Sequence, residues 1–291
     1  SQKSLPGFKN KPSPPYTKKR VRRLSAARRN SPEPMLKQLQ STLNWRGFVA
    51  IFGFFLSWYL ACILELPGFA EMANPLEVIQ MFVREYAHDG HYWLSWVTSF
   101  QRVLYGFLFA QLFGIPLGLL FGTNEKFRNL FFPVFELLRP IPPLAWVPMS
   151  ILFWPTNESS IIFITFIGAF FIIVINVFDG VRDIKREHLW LALSLGAPRR
   201  IIFLRIMLPS VIPSIAVGMT LGIAITWDVV IAAEMIASDS GLGRLTWEGY
   251  VSSTPEVLVI GMISIGLAGY LSTKVVNTIE RKMMPWRRVR R

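Results

Sequence analysis

The sequence predicts an all-α membrane protein with about six transmembrane helices, and three observations carry that expectation. Of the 291 residues, 52% are hydrophobic, with 23 Phe and 10 Trp, more than a soluble domain of this size needs for one core. Apolar runs of roughly 18 residues or more, long enough to cross a bilayer as helices, fall at about 47–64, 103–121, 130–154, 161–178, 211–236 and 256–273. Finally, 27 of the 31 Lys and Arg lie in segments that alternate crossing places on one side, namely 1–46, 122–130, 179–205 and 274–291. Only Arg84, Arg102, Arg139 and Arg244 fall elsewhere. Basic residues collect on the cytoplasmic side of membrane proteins, so both termini are expected there.

The N-terminal tail, 1–45, contains "KKRVRRLSAARR" with Pro and Ser and no apolar periodicity. It is expected to be a disordered arm drawn to anionic headgroups. The net charge of +13 does not argue for nucleic acid, because no aromatic residues interleave the basic run. A second basic tail is expected over 274–291, leaving 46–273 as the transmembrane domain. The single cysteine, Cys62, forms no internal disulfide.

After the first span, residues 65–101 carry five acidic residues and one Arg. Within them "NPLEVIQMFVREY" reads as a short amphipathic helix capped by Asn74, with Pro75 at its first position and Glu77 completing a capping box. Ile79, Phe82, Val83 and Tyr86 share its apolar face, which suits an interfacial helix. His88 and His91 in "HDGH" belong to a polar loop rather than a metal pair.

The second span places Gly114, Gly118 and Gly122 four residues apart, and the fifth repeats the spacing at Gly218 and Gly222. Small residues at this interval let helices approach closely. The third run is the least regular, because "FELLRPIPPLAWVP" carries Glu136, Arg139 and four prolines.

The loop 182–209 breaks the apolar pattern with "LGAPRRIIFLRIMLP". Residues 184–195 suit one short helix with Leu189, Trp190, Ala192 and Leu193 on its apolar side. Gly196 is placed to end it, Pro198 to start a second short helix, and Pro209 and Pro213 to re-enter the membrane. An apolar surface outside the bilayer is either a docking site for a partner or an interfacial pair resting on lipid.

Several chemistries are excluded. No G-x-x-x-x-G-K-[ST] loop exists to hold ATP phosphates, and "GLGRL" lacks the third glycine of a dinucleotide fingerprint. All three histidines, His88, His91 and His188, lie outside the spans, where a membrane-embedded hydrolase has no use for them. No catalytic, cofactor or metal site is expected, and any energy supply belongs to a partner.

The loop also carries a likeness. From Ala192 to Gly196, then nine residues to Ile206, Leu208 and Pro209, it resembles the E-A-A-x3-G-x9-I-x-L-P loop of membrane subunits of bacterial ABC importers. The Glu-Ala opening is replaced by Trp190-Leu191. "LLRPIPPLAWVPMSILFW", "IGAFFIIVINVFDGV", "AAEMI" followed by "GLG", and "IERKMMPWRR" resemble permeases for nitrate, alkanesulfonate or taurine, and bicarbonate, over roughly 45–288. The resemblance implies a type I ABC importer permease fold. It implies a homodimer, two cytoplasmic ATPase subunits holding ATP and Mg, an external substrate-binding protein and the bacterial inner membrane. It also implies a coupling loop in which Trp190, Ala192, Leu195, Gly196, Ala197, Ile206 and Pro209 face the ATPase.

Ionisable groups within spans are functional candidates by default. Arg139, Pro142, Pro143 and Trp146 lie in an irregular stretch, 139–148, tolerable only against protein or a water-filled path, and are expected to line or gate the route. Arg139 alternatively snorkels to the interface. Arg102 is a second cation able to attract an oxyanion. Asp228 and Glu234, six residues apart on the fifth span, cannot share a face, so one can meet the path while the other fixes a loop. The expected activity is inward movement of a small oxyanion; the alternative is a secondary transporter or channel without an ATPase.

Overall fold

A computed structural model describes residues 33–68 and 72–284. The basic run 18–29 and the last residues, 285–291, lie outside the described residues. Among the described residues every regular element is helical: α1 Glu33–Ile63, α2 Pro75–Met81, α3 Gly90–Thr123, α4 Glu125–Leu138, α5 Val147–Phe153, α6 Asn157–Arg182, α7 Arg186–Ser194, α8 Arg199–Ala237, α9 Leu242–Val251 and α10 Pro255–Met283.

Four of these, α3, α6, α8 and α10, are long and apolar enough to cross a membrane. The run expected as one span over 130–154 is instead two helices bent by 88°. Pro140, Pro142 and Pro143 supply no backbone N–H to continue the helix, and Pro142, ahead of Pro143, is extended (ψ 137°), so the helix stops at Leu138 and a 3-10 turn, Pro143–Trp146, redirects the chain. The apolar part of α1, Gly47–Ile63, is shorter than a full span.

The terminal helices run beyond residues 46 and 273. α1 begins at Glu33, inside the stretch expected to be disordered, and α10 continues to Met283. Leu, Met, Lys, Gln and Glu make up most of the first extension, and their helix propensity carries a helix beyond its apolar portion. Among the described residues, those up to Leu60 form one contact unit and those from Ala61 onward form another.

In the second unit α3 and α6 run parallel along a seam of glycines. A Cβ at Gly106 would sit 2.6 Å from Thr165 Cγ2, at Gly114 3.0 Å from Ile173 Cγ2, at Gly118 2.7 Å from the Val174 carbonyl and at Gly122 2.5 Å from Val181 Cβ. The four-residue spacing seen in the sequence is thus a packing surface, extended two turns further through buried Ala110 to Gly106. α8 runs antiparallel to α6, with Val229 against Gly168 and Asn176 against Gly218. The core between them is Ile161, Ile164, Ile173, Val177, Val211, Ile215 and Val230, all almost wholly buried. A second cluster, Phe121, Phe135, Val174 and Phe178, seats α4 on α3 and α6. α10 joins through a 2.7 Å hydrogen bond between Tyr92 and Ser264 hydroxyls.

These directions give the bundle two ends. One carries the starts of α3, α6 and α10 and the end of α8; the other carries Thr123, Arg182, Arg199 and Met283. α2 lies at the first end. Its capping box is present: the Asn74 side chain accepts from Leu76 N, and Glu77 accepts from Asn74 N. Its inward face is Val78, Phe82 and Tyr86, whereas Ile79 and Val83 point outward. A π-helical turn covers Phe82–Tyr86, and the inward positions Val78, Phe82 and Tyr86 fall four residues apart.

Candidate functional site

Two sites emerge, one at each end of the bundle. At the end that carries the start of α6, Arg102 of α3 is 1% exposed and reaches three elements. Its Nε and Nη2 donate to the two oxygens of Glu158, in the first turn of α6, with Nε at 2.8 Å. Its Nη1 donates to Glu234 Oε1 (2.9 Å) and to the Ser240 carbonyl (2.7 Å). Glu234, near the end of α8, is wholly buried and fully bonded: Oε1 also accepts from Ser99 Oγ (2.7 Å) and Oε2 from Gly243 N (2.8 Å). Ser99 Oγ in turn accepts from Leu242 N (2.9 Å). A buried charge is tolerable only when paired and hydrogen-bonded, and here one guanidinium and two neutral donors meet that need.

This geometry explains "AAEMI" followed by "GLG". Glu234 caps the first turn of α9, and both glycines exist to let it in. A Cβ on Gly241, whose φ is +116°, would stand 2.5 Å from Glu234 Cδ; one on Gly243 would strike the Ile231 carbonyl. Glu234, expected on a path or as a loop-fixing group, is placed inside this clamp, with no surface of its own. Arg102, considered as a free cation, is likewise engaged. Glu158 was not singled out by the sequence at all. It was visible only as a carboxylate at the start of an apolar run, and its partner lies 56 residues away.

Asp228 lies on the other side of α8, exposed, in line with Val217, Leu221 and Ala224. No hydrogen bond or ion pair to it is found among the described residues. Arg139, the C-cap residue of α4, is exposed at the bend, as is Pro142, whereas Pro143 and Trp146 are half-buried. The indole N–H of Trp146 is buried without a hydrogen-bond partner among the described residues. The sequence-selected path residues therefore divide: the 139–146 group clusters at the bend, Asp228 faces outward from α8, and Glu234 belongs to the clamp.

At the opposite end, α7 and the start of α8 form an elbow. Ala197 N donates to Ala192 O (3.0 Å) and Gly196 N to Leu193 O (2.9 Å), the paired 6→1 and 5→2 bonds of a Schellman motif. Gly196 has φ +76°, the left-handed conformation this motif demands. Ala192 is the buried foot of α7, while Trp190, Leu191, Leu193 and Leu195 are 62%, 64%, 53% and 79% exposed. The second short helix expected after Pro198 is not separate. From Arg199 the helix is continuous to Ala237, through a π-helical turn over Phe203–Met207. That wide turn, closed by Leu208 N on Phe203 O, makes room for the Pro209 ring, which an α-helical turn would crowd. Ile206 and Pro209 line a groove there with Arg205, Ser210 and Pro213. The loop residues thus divide between two features: Trp190, Ala192, Leu195, Gly196 and Ala197 at the elbow, and Ile206 and Pro209 at the groove.

Residues 114–288 match the family described as "Binding-protein-dependent transport system inner membrane component". The chain belongs to this family. It is a multi-pass inner-membrane permease of the ABC importer class. The nitrate import permease protein NrtB of Leptolyngbya laminosa is 31% identical over 268 residues, 88% of this chain and 95% of that protein. The taurine transport system permease protein TauC of Escherichia coli (strain K12) is 27% identical over 233 residues, 79% and 85% of the two chains. A solved structure of the MetNI methionine ABC transporter in an inward-facing conformation shares the fold, with a TM-score of 0.57 at 18% identity. The match covers 73% of this permease and 99% of that chain.

Proposed function

We propose that this permease forms the translocation path for a small oxyanion in an ATP-driven importer. Two copies of the chain enclose the path, two cytoplasmic ATPase subunits supply ATP and Mg, and an external protein delivers the substrate. The end of the bundle carrying Lys126, Arg128, Arg182, Lys185, Arg186 and the other loop arginines is the cytoplasmic one, and the basic balance of the tails puts both termini in the cytoplasm. The substrate class follows the relatives, whose names specify nitrate and taurine; bicarbonate is the third member that the sequence motifs admit.

The observation that carries this reading is the elbow. Four large apolar side chains, Trp190, Leu191, Leu193 and Leu195, stand exposed around a rigid Schellman turn. A partner protein that buries them gains about 25 cal/mol per Å². Because α8 is continuous from Arg199 to Ala237, force applied to the elbow passes along one rod to the far end of the bundle. Trp190 and Leu195 form the gripped rim; Ala192, Gly196 and Ala197 fix its shape; Ile206 and Pro209 begin the rod. Across the bundle the unpartnered face of α8 with Asp228 and the bend with Arg139, Pro142, Pro143 and Trp146 line the path.

The test is reconstitution of the chain in proteoliposomes with its ATPase and binding protein. Vanadate-sensitive, ATP-dependent uptake of labelled nitrate or taurine is the expected result. Accumulation by the chain alone, driven by a proton or sodium gradient, would overturn the reading.

A further inference from the structure

We propose that the Nε–Nη2 edge of Arg102 is an oxyanion subsite, and that Glu158 holds it in the resting chain as a tethered stand-in for the guest. The inference rests on the oxyanion reading above and goes further by naming a place and a mechanism of exchange. The guanidinium is divided into two unlike halves. Its Nη1 side is sealed, bonded to Glu234 and to the Ser240 carbonyl. Its Nε–Nη2 side meets both oxygens of one carboxylate, the parallel two-bond geometry that arginine offers to any anion with two coplanar oxygens. Nitrate, bicarbonate and a sulfonate group all present such a pair.

The two carboxylates differ as much as the two halves. The Glu234 side chain is 0% exposed, whereas that of Glu158 is 57% exposed. Glu158 therefore swings into water without uncovering the rest of the clamp. Exchange also keeps the local charge constant. Before it, Arg102 faces Glu234 and one further monoanion; after it, Arg102 faces Glu234 and one guest monoanion, while Glu158 is rehydrated. Glu234 does not repel the guest more than it repels Glu158, since its charge is met by Gly243 N, Ser99 and Nη1.

Tethering sets the selectivity. A side chain held beside its partner competes at an effective concentration on the order of millimolar or higher. Dilute free anions do not displace it, while an anion released at the mouth of the bundle does. Glu158 is thus a positioning residue that keeps the subsite charged and closed between deliveries.

The experiment uses the full chain in nanodiscs and titrates isotope-labelled nitrate, with chloride at matched ionic strength as control. Binding is read from the broadening of the nitrate resonance. Glu158→Ala removes the competitor and leaves Arg102 paired with Glu234, so nitrate affinity should rise at least tenfold over the wild type. Adding Arg102→Lys, which keeps the charge and loses the fork, should abolish the gain. Glu158→Gln, which preserves side-chain volume, serves as the second variant and should show the same direction. Equal nitrate binding by the wild type and both variants, or a gain that survives Arg102→Lys, overturns the proposal. So does the absence of binding in a Glu158 variant that melts like the wild type. Failure of the oxyanion reading is distinguishable, because the wild-type complex would then take up no oxyanion at all.

Discussion

Arg102 and Glu234 stand 132 residues apart in the chain and meet at 2.9 Å with both side chains shut off from solvent. The pair joins α3 to the end of α8 and, through Gly243 and Leu242, to the start of α9. Removing Arg102 leaves Glu234 charged and buried, which typically costs about 3–5 kcal/mol, and removing Glu234 orphans the buried donors Ser99 Oγ and Gly243 N while leaving Arg102 with Glu158 alone. Glu234→Ala is therefore expected to lower the detergent-solubilised melting temperature sharply and to reduce membrane yield. Glu234→Gln should cost less, because the amide oxygen still accepts from Gly243 or Ser99. Melting curves of the two variants beside the wild type, in one detergent, check this order.

The glycine seam predicts a graded response along one helix. A Cβ at Gly122 would stand 2.5 Å from Val181 Cβ and one at Gly118 2.7 Å from the Val174 carbonyl, whereas one at Gly114 would stand 3.0 Å from a methyl that can shift. Gly122→Ala and Gly118→Ala should destabilise by about 1–3 kcal/mol, the usual penalty for overpacking, and Gly114→Ala by less. Gly266→Ala on α10, where nothing lies within 4 Å, should be neutral or slightly stabilising, since alanine is the better helix former. Thermal melts of the four variants, compared in one detergent, check the order.

Asp228 is exposed on α8, so its substitution should spare stability and alter transport. A carboxylate facing the path opposes an anion, and neutralising it removes that barrier. Asp228→Asn is expected to leave the melting temperature within a degree or two and to lower KM for the oxyanion several-fold. Initial uptake rates in proteoliposomes decide it, with unchanged kinetics placing Asp228 off the path.

The parts of this architecture that local chemistry writes were readable in advance. Gly196 after an apolar helix and before Pro198 announced a left-handed stop, and φ +76° with the Schellman bonds is what formed. Likewise, Asn74, Pro75 and Glu77 specified a helix start that local bonds alone complete. The clamp was not readable, because Arg102, Glu158 and Glu234 are brought together by three helices whose register depends on the glycine seam and the valines and isoleucines facing it. Glu234 stood out within its apolar run and Glu158 did not, and no spacing in the chain says that the two share one guanidinium. The continuity of α8 through Pro209 was missed for a related reason: a proline reads as a break unless a π-helical turn has already opened the helix ahead of it.

Gly196 offers the sharpest test of the elbow. Its φ of +76° lies where a side chain is strained, by about 1–2 kcal/mol for an ordinary L residue, and where asparagine is better tolerated than alanine. Proline is incompatible on two counts: its ring fixes φ near −65°, and it removes the N–H that bonds Leu193 O at 2.9 Å. Nothing lies within 4 Å of a Cβ at this position, so packing contributes no penalty and the series isolates backbone conformation. ATP-dependent uptake should fall in the order Gly, Asn, Ala, Pro, with Gly196→Pro inactive although inserted in the membrane at normal levels. Because the elbow projects from the bundle, the melting temperature of the transmembrane core should hardly change across the series. A loss of uptake that tracks a loss of core stability would mean the turn acts by holding the fold together. Full uptake by Gly196→Pro would mean that no partner grips this surface.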